Sequence, residues 1–78
     1  MDYKQLAALE KIKKVRKEKQ LTYRALAEIL NMSPTALCRI EKGERIPEPE
    51  QLSAICGALN IAGADKEHIM LGFGYMEV

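Results

Sequence analysis

Apolar residues recur at helical spacing along most of the chain, and this pattern predicts short helices joined by turns. In residues 1–20, basic side chains surround one drifting apolar face, which consists of Leu6, Leu9, Ile12 and Val15. The spacing predicts a first helix that runs from about residue 3 to residue 19.

Residues 22–43 predict two short helices separated by a three-residue turn. Thr22 and Ser33 are good N-cap residues, and Pro34 stands at a first helical position, where its missing N–H costs nothing. Asn31 tolerates the left-handed conformation that a sharp turn requires. The apolar stripe of the first of these helices consists of Ala25, Leu26, Ile29 and Leu30.

The second of these helices has one inward and one outward face. Leu37 and Ile40 are its inward apolar pair, and Gly43 marks its end. A short helix, a tight turn and a capped second helix form the helix-turn-helix arrangement, whose second helix fits the major groove of DNA. The outward face carries Pro34, Thr35, Cys38, Arg39 and Lys42.

Residues 44–63 predict a loop followed by a fourth helix. Pro49 suits the first helical position, and Asn60 suits the stop that ends the helix. The spacing of the apolar residues indicates one buried face, formed by Leu52, Ile55, Cys56 and Leu59.

Residues 64–78 predict a short last helix and an apolar tail. Asp65 can cap this helix, which would run to about Leu71. The tail is more apolar than one short helix usually buries, so it either folds back on the first helix to close the core or forms a two-fold dimer interface. The candidate interface residues are Met70, Phe73, Tyr75 and Met76.

From Ile12 onward, about fifty residues resemble the lambda-repressor/Cro-like (XRE-type) family of helix-turn-helix DNA-binding regulators. The run R-I-E-K-G at residues 39–43 is the most specific part of the match. Gln20 and Asn31 stand where the family usually has Gly, and Cys56 stands where it has Ala. The other matching positions are Val15, Arg16, Leu21, Thr22, Leu26, Ala27, Ser33, Leu37, Pro47, Leu52 and Leu59.

The resemblance implies an all-α, compact five-helix lambda-repressor-like domain over residues 1–78, with the helix-turn-helix at helices 2 and 3. It also implies that Arg16 pairs with Glu41 and ties helix 1 to helix 3. The base-contact positions that it implies are Pro34, Thr35, Ala36 and Arg39. Hydroxyls and cations at the start of helix 2, the start of helix 3 and the following loop are candidate DNA-backbone contacts: Tyr23, Arg24, Ser33, Lys42 and Arg45.

The composition excludes several classes of protein. Of the 78 residues, 47% are hydrophobic, yet no run approaches the ~20 apolar residues of a membrane span, and the first residues lack a signal-peptide core. We therefore expect a cytoplasmic protein that does not bind membranes. Cys38 and Cys56 could form a disulfide or half a metal site, but they are interpreted as free thiols, because their spacing does not suit a metal site and a cytosolic chain keeps its thiols reduced. His68 has no nucleophile partner and no Gly-rich phosphate loop is visible, so we expect no enzyme activity, cofactor or metal.

The charge is distributed unevenly along the chain. The net charge is only +1, but residues 1–45 hold 11 Lys and Arg against 6 Asp and Glu, whereas residues 46–78 hold 1 against 5. The basic part suits contact with phosphates, and the acidic part suits a surface that faces away from them.

These observations predict a regulator of transcription that binds specific double-stranded DNA, and we expect it to be a repressor and a homodimer. One reading helix with few base contacts discriminates weakly, so two copies on adjacent half-sites are favoured. The alternative is a protein-interaction module, such as an antitoxin or adaptor, that uses the apolar tail as its binding surface. In either case we expect no site for a small-molecule effector in this chain.

Overall fold

The computed structural model describes residues 1–75, which fold into five α-helices without a strand. This confirms the all-α prediction and its five helices. The helices are α1 (Tyr3–Glu18), α2 (Tyr23–Ile29), α3 (Pro34–Glu41), α4 (Pro49–Ala58) and α5 (Gly63–Gly72).

The helix starts follow from short polar side chains. The hydroxyl oxygen of Thr22 accepts a hydrogen bond from the Ala25 N–H at 3.0 Å, and Ser33 accepts one from the Ala36 N–H at 3.0 Å. Each bond satisfies a backbone donor that has no partner inside the helix. The boundaries of α2 and α3 are therefore determined locally, and only a few residues separate the two helices.

All five helices end in the same way. The residue after each C-cap has a positive φ, as at Gln20 (58°), Asn31 (55°) and Asn60 (59°). The next N–H then donates back to a carbonyl one turn earlier, which is the Schellman motif. The five bonds are Leu21 to Arg16, Met32 to Ala27, Glu44 to Arg39, Ile61 to Cys56 and Tyr75 to Met70.

These helix ends also determine which turn residues enter the interior. In a Schellman motif the last residue often makes an apolar contact with the preceding turn. Leu21, Met32, Ile61 and Tyr75 occupy that place and pack on the core. At the end of α3 the corresponding residue is the exposed Glu44, so this helix end faces solvent.

The core collects the inward faces of all five helices. Two residues of the predicted stripes lie outside the core: Leu6 is 45% exposed and Ile29 is 60% exposed. Ala8 and Ala27 are buried instead. A helix advances by about 100° per residue, so a stripe with a spacing of three drifts away from the inward face, as it does at Leu6. In α2 the buried pair Leu26 and Ala27 defines the inward direction, and Ile29 lies beyond that arc.

The tail closes the core of its own chain. Met70 and Phe73 are buried, and the rings of Phe73 and Tyr75 stack with their centroids 5.8 Å apart. The Tyr75 hydroxyl donates a hydrogen bond to the Pro47 carbonyl oxygen at 2.7 Å. Met70 and Phe73 thus belong to the core of the monomer, and a dimer interface at the tail stays a prediction; Met76 lies outside the described residues.

The start of α5 differs from the sequence-based expectation. The helix begins at Gly63 after Ala62, which has no side chain that can cap it. Asp65 instead accepts a hydrogen bond from the Lys11 ammonium at 2.7 Å, and this contact lowers the pKa of the Asp65 carboxyl group. The predicted cap is therefore wrong, and Asp65 connects α5 to α1.

The hydrogen bond of Tyr75 provides a test of the tail's role. We expect Tyr75→Phe to lower the free energy of unfolding by about 0.5–1.5 kcal/mol, because the ring stacking remains and only the bond to Pro47 is lost. Urea denaturation measures the change. Tyr3→Phe is the matched control, since Tyr3 is 78% exposed. Equal stability of the two variants would contradict a structural role for the bond.

Candidate nucleic-acid interface

The start of α2 and the exposed face of α3 form a shallow cleft of about 230 Å³. The side chains in it are mainly cationic or polar, and Pro34 contributes an apolar edge. The lining residues are Tyr23, Arg24, Pro34, Thr35, Cys38, Arg39, Lys42 and Glu44. The cleft therefore brings together six of the predicted contact residues from two helices.

α3 is anchored by one face and exposed along the other. Leu37 and Ile40 are almost completely buried in the core. Thr35 and Arg39 lie on the exposed face, together with Pro34 at the first position of the helix. The helix thus presents a guanidinium, a hydroxyl and a pyrrolidine ring to solvent while its backbone is held by the core.

An internal ion pair holds α3 against α1. The Arg16 guanidinium donates from Nε to Oε2 of Glu41 at 2.8 Å and from Nη2 to Oε1 at 2.9 Å. Its Nη1 donates to the Leu21 carbonyl oxygen at 2.7 Å. Only 10% of the Arg16 side chain and 6% of the Glu41 side chain are exposed. The guanidinium of Arg16 thereby connects α1 both to α3 and to the turn that precedes α2.

The cations around the cleft keep their charge available. Residues 1–75 contain three ion pairs, and none of them uses Arg24, Arg39, Lys42 or Arg45. Glu44 lies in the same cleft, so the cleft has a net positive charge but also contains one carboxylate. Such a surface can attract phosphate oxygens and also offers directional donors.

Three predicted contact residues do not line the cleft. Ala36 is half-buried, and Arg45 is exposed in the loop that follows α3. Ser33 is exposed, and its oxygen accepts the capping bond from Ala36. Its hydroxyl hydrogen remains free to donate to a phosphate, because a hydroxyl both donates and accepts.

Cys38 lines the cleft but was not among the predicted contact residues. It lies half-buried on the outward face of α3, one residue before Arg39. The signal was present in the sequence, since helical spacing already placed Cys38 on this face. Cys56 is completely buried, and its burial raises the pKa of the thiol. Both cysteines are free.

Two other features are absent from the same part of the chain. Residues 1–75 contain no group of three His, Cys, Asp or Glu side chains close enough to hold a metal ion. No helix among these residues is long and apolar enough to cross a membrane.

Comparison with known proteins places this geometry in a family. A family profile described as helix-turn-helix matches residues 12–65, which include Arg16, α2, α3 and Glu41. The chain belongs to the XRE-type helix-turn-helix family. The cleft lies within the matched segment, and the fold of this XRE-type domain is lambda-repressor-like.

A relative of this XRE-type domain comes from a bacteriophage. The chain is 43% identical over 61 residues to the "ImmF control region 10 kDa protein" of Bacillus phage phi105. The aligned residues are 78% of this chain and 66% of that protein, so the chain spans a little under two thirds of the relative's length. No solved structure matches the chain significantly.

Proposed function

We propose that the protein is a cytoplasmic transcriptional repressor that binds a specific double-stranded DNA sequence as a homodimer, with α3 in the major groove. The observation that carries this proposal is the exposed face of α3, where Arg39 shares the cleft with Arg24 and Lys42 while Leu37 and Ile40 hold the helix in the core. The family match and the control-region name of the phage relative also support it.

The candidate contact residues in and beside the cleft divide into base contacts and phosphate contacts. Arg39 has the reach and the two parallel donors needed for the O6 and N7 atoms of guanine. Thr35 offers one hydroxyl, and Pro34 and Ala36 offer only apolar contact to a thymine methyl. Arg24, Lys42 and Arg45, with the hydroxyls of Tyr23 and Ser33, are our candidates for the phosphates.

The sparse set of base contacts supports the homodimer. One α3 presents a single residue that can make a bidentate base contact, so a lone domain would discriminate poorly among genomic sites. Two copies on half-sites ~34 Å apart would double the number of such contacts. Occupation of a site that overlaps a promoter would exclude the polymerase, so repression by this route needs no further surface.

Selection from a random duplex pool tests this proposal. We expect the bound sequences to share a palindrome whose half-sites are centred ~10 base pairs apart, which is one turn of B-DNA. Enrichment of a single asymmetric half-site would contradict the homodimer. If no sequence is enriched at low salt, specific DNA binding itself is wrong.

The salt dependence of DNA binding tests the phosphate contacts. We expect Lys42→Ala and Arg45→Ala each to reduce the slope of log Kd against log salt by about 0.9 per lost phosphate contact. The loss of affinity should be similar on all sequences. Lys66→Ala is the charge-matched control, because Lys66 is the only Lys or Arg in residues 46–78. The same change of slope in all three variants would indicate a general charge effect instead of contacts.

The alternative function, a protein-interaction module, has less support from the tail residues that were expected to form its surface, as far as residue 75. Met70 and Phe73 are buried in the monomer, and Tyr75 is bonded to Pro47. This alternative would be favoured over the repressor if the protein did not bind duplex DNA at low salt. It would also be favoured if Lys42→Ala and Arg45→Ala left the affinity for DNA unchanged.

A further inference from the structure

A surface groove of about 590 Å³ lies between α1 and α5. Tyr3 and Ala7 contribute to it from α1, and Ile69 and Leu71 contribute from α5. Tyr3 is 78% exposed and Leu71 is 55% exposed. The groove shares no residue with the DNA cleft, so the proposed function does not explain it.

Small residues account for the shape of this groove. At Gly72, an added Cβ would lie 2.9 Å from the Lys4 carbonyl oxygen and 3.1 Å from the Ala8 methyl group. The two helices therefore approach closely at this point, and Ala7 and Ala8 keep the adjacent surface low. The larger side chains of Tyr3 and Leu71 stand at its edges. The floor of the groove is therefore apolar, and its sides are aromatic and aliphatic.

The charged residues that line the groove are Lys4 and Lys11, and no carboxylate lines it. The imidazole of His68 also contributes to the lining. Lys11 is paired with Asp65, whose side chain is 65% exposed, whereas Lys4 takes part in none of the ion pairs of residues 1–75. The neighbouring surface of α1 carries Lys13, Lys14 and Lys17 with a single acidic residue, Glu10.

We infer that this groove binds an acidic amphipathic helix of a partner protein. The apolar side chains of such a helix would occupy the groove over Ala7 and Leu71. Its carboxylates would lie near Lys4 and near the basic face of α1 that Lys13, Lys14 and Lys17 form. An amphipathic helix in a groove is a common mode of recognition, and complementary charge supplies specificity and association rate. A second copy of this chain is the competing occupant, and sedimentation experiments distinguish it from a partner helix.

A pair of designed peptides tests the inference. The acidic peptide is a helix of about 15 residues with Leu at positions i, i+3, i+4 and i+7 and Glu on its other face; the control peptide has Lys in place of Glu. Fluorescence anisotropy with the full chain measures binding. We expect the acidic peptide to bind at least about tenfold more tightly than the basic one, which corresponds to ~1.4 kcal/mol.

Variants of the protein locate the binding surface. We expect Leu71→Ala and Lys4→Glu each to weaken binding of the acidic peptide by about tenfold. The matched controls are Ile29→Ala, which removes an apolar side chain that is 60% exposed outside the groove, and Lys19→Glu, which reverses an exposed charge at the C-cap of α1 outside the groove and its basic neighbourhood. Ile29→Ala should have no effect, and Lys19→Glu should have a smaller effect than Lys4→Glu.

Three results would overturn the inference. The first is equal affinity of the two peptides, and the second is an unchanged affinity for the acidic peptide in Leu71→Ala. The third is that Leu71→Ala changes self-association in sedimentation experiments while the protein does not bind the peptide. The last result would identify the groove as an interface between copies of this chain. The same variants should bind duplex DNA normally, so failure here is separate from failure of the proposed function.

Discussion

Arg16→Ala is expected to lower the free energy of unfolding by about 3–5 kcal/mol, a large part of the ~5–15 kcal/mol that stabilises a typical domain. The guanidinium donates two hydrogen bonds to Glu41 and one to the Leu21 carbonyl oxygen. Its removal leaves a carboxylate with 6% side-chain exposure without its cationic partner. For a chain of this size the melting temperature should fall by more than about 10 °C.

Two control variants separate the ion pair from a general effect of charge. Lys17→Ala removes an exposed cation from the next position of α1 and should change the stability by less than about 0.5 kcal/mol. Arg16→Met combined with Glu41→Leu removes both buried charges and should recover much of the lost stability, because the cost arises from an unpaired charge. The assignment fails if Arg16→Ala is as stable as Lys17→Ala in urea denaturation.

The helix boundaries could be predicted from the sequence because they depend on local interactions. Thr22 and Ser33 cap their helices through bonds to residues three positions away, and Asn31 and Asn60 adopt the left-handed conformation expected of them. Gln20 adopts it as well, although its Cβ makes this conformation less favourable than for Gly. α1 still ends before Gln20, because the Leu21 N–H donates to the Arg16 carbonyl oxygen and the Leu21 side chain packs on the core.

The features that could not be predicted depend on contacts between distant parts of the chain. Asp65 has the residue type of an N-cap, but its bond to Lys11 joins residues 54 positions apart. The position of the tail depends on Tyr75 reaching Pro47, which no periodicity reveals. Leu6 and Ile29 fit helical stripes and are nevertheless exposed, because the inward direction of a helix is determined by its neighbours.

The candidate site could be anticipated in large part. Helical spacing already placed Thr35, Cys38, Arg39 and Lys42 on one face, and the structure places these side chains around one cleft with the start of α2. The groove between α1 and α5 could not be anticipated, because it arises where Gly72 meets Lys4 across two helices that are far apart in the sequence. A surface that one helix forms is visible in the sequence, whereas a surface between two helices depends on the packing.

Arg39→Ala is expected to remove discrimination at one base pair of each half-site, by ~1–3 kcal/mol per site, while the fold remains intact. The side chain is exposed and takes part in none of the ion pairs of residues 1–75, so its loss leaves no buried partner. Competition binding with single-base variants of the selected palindrome measures the effect. Arg39→Lys should also lose this discrimination, because a lysine keeps the charge but not the paired donors.

Arg24→Ala is the matched comparison for this measurement, since Arg24 lines the same cleft and is a candidate phosphate contact. It should weaken binding by a similar factor on every sequence and reduce the dependence on salt. If Arg39→Ala behaves in that way too, Arg39 contacts a phosphate. The sequence preference would then have to come from Thr35, from apolar contacts of Pro34 and Ala36, and from the shape and deformability of the DNA.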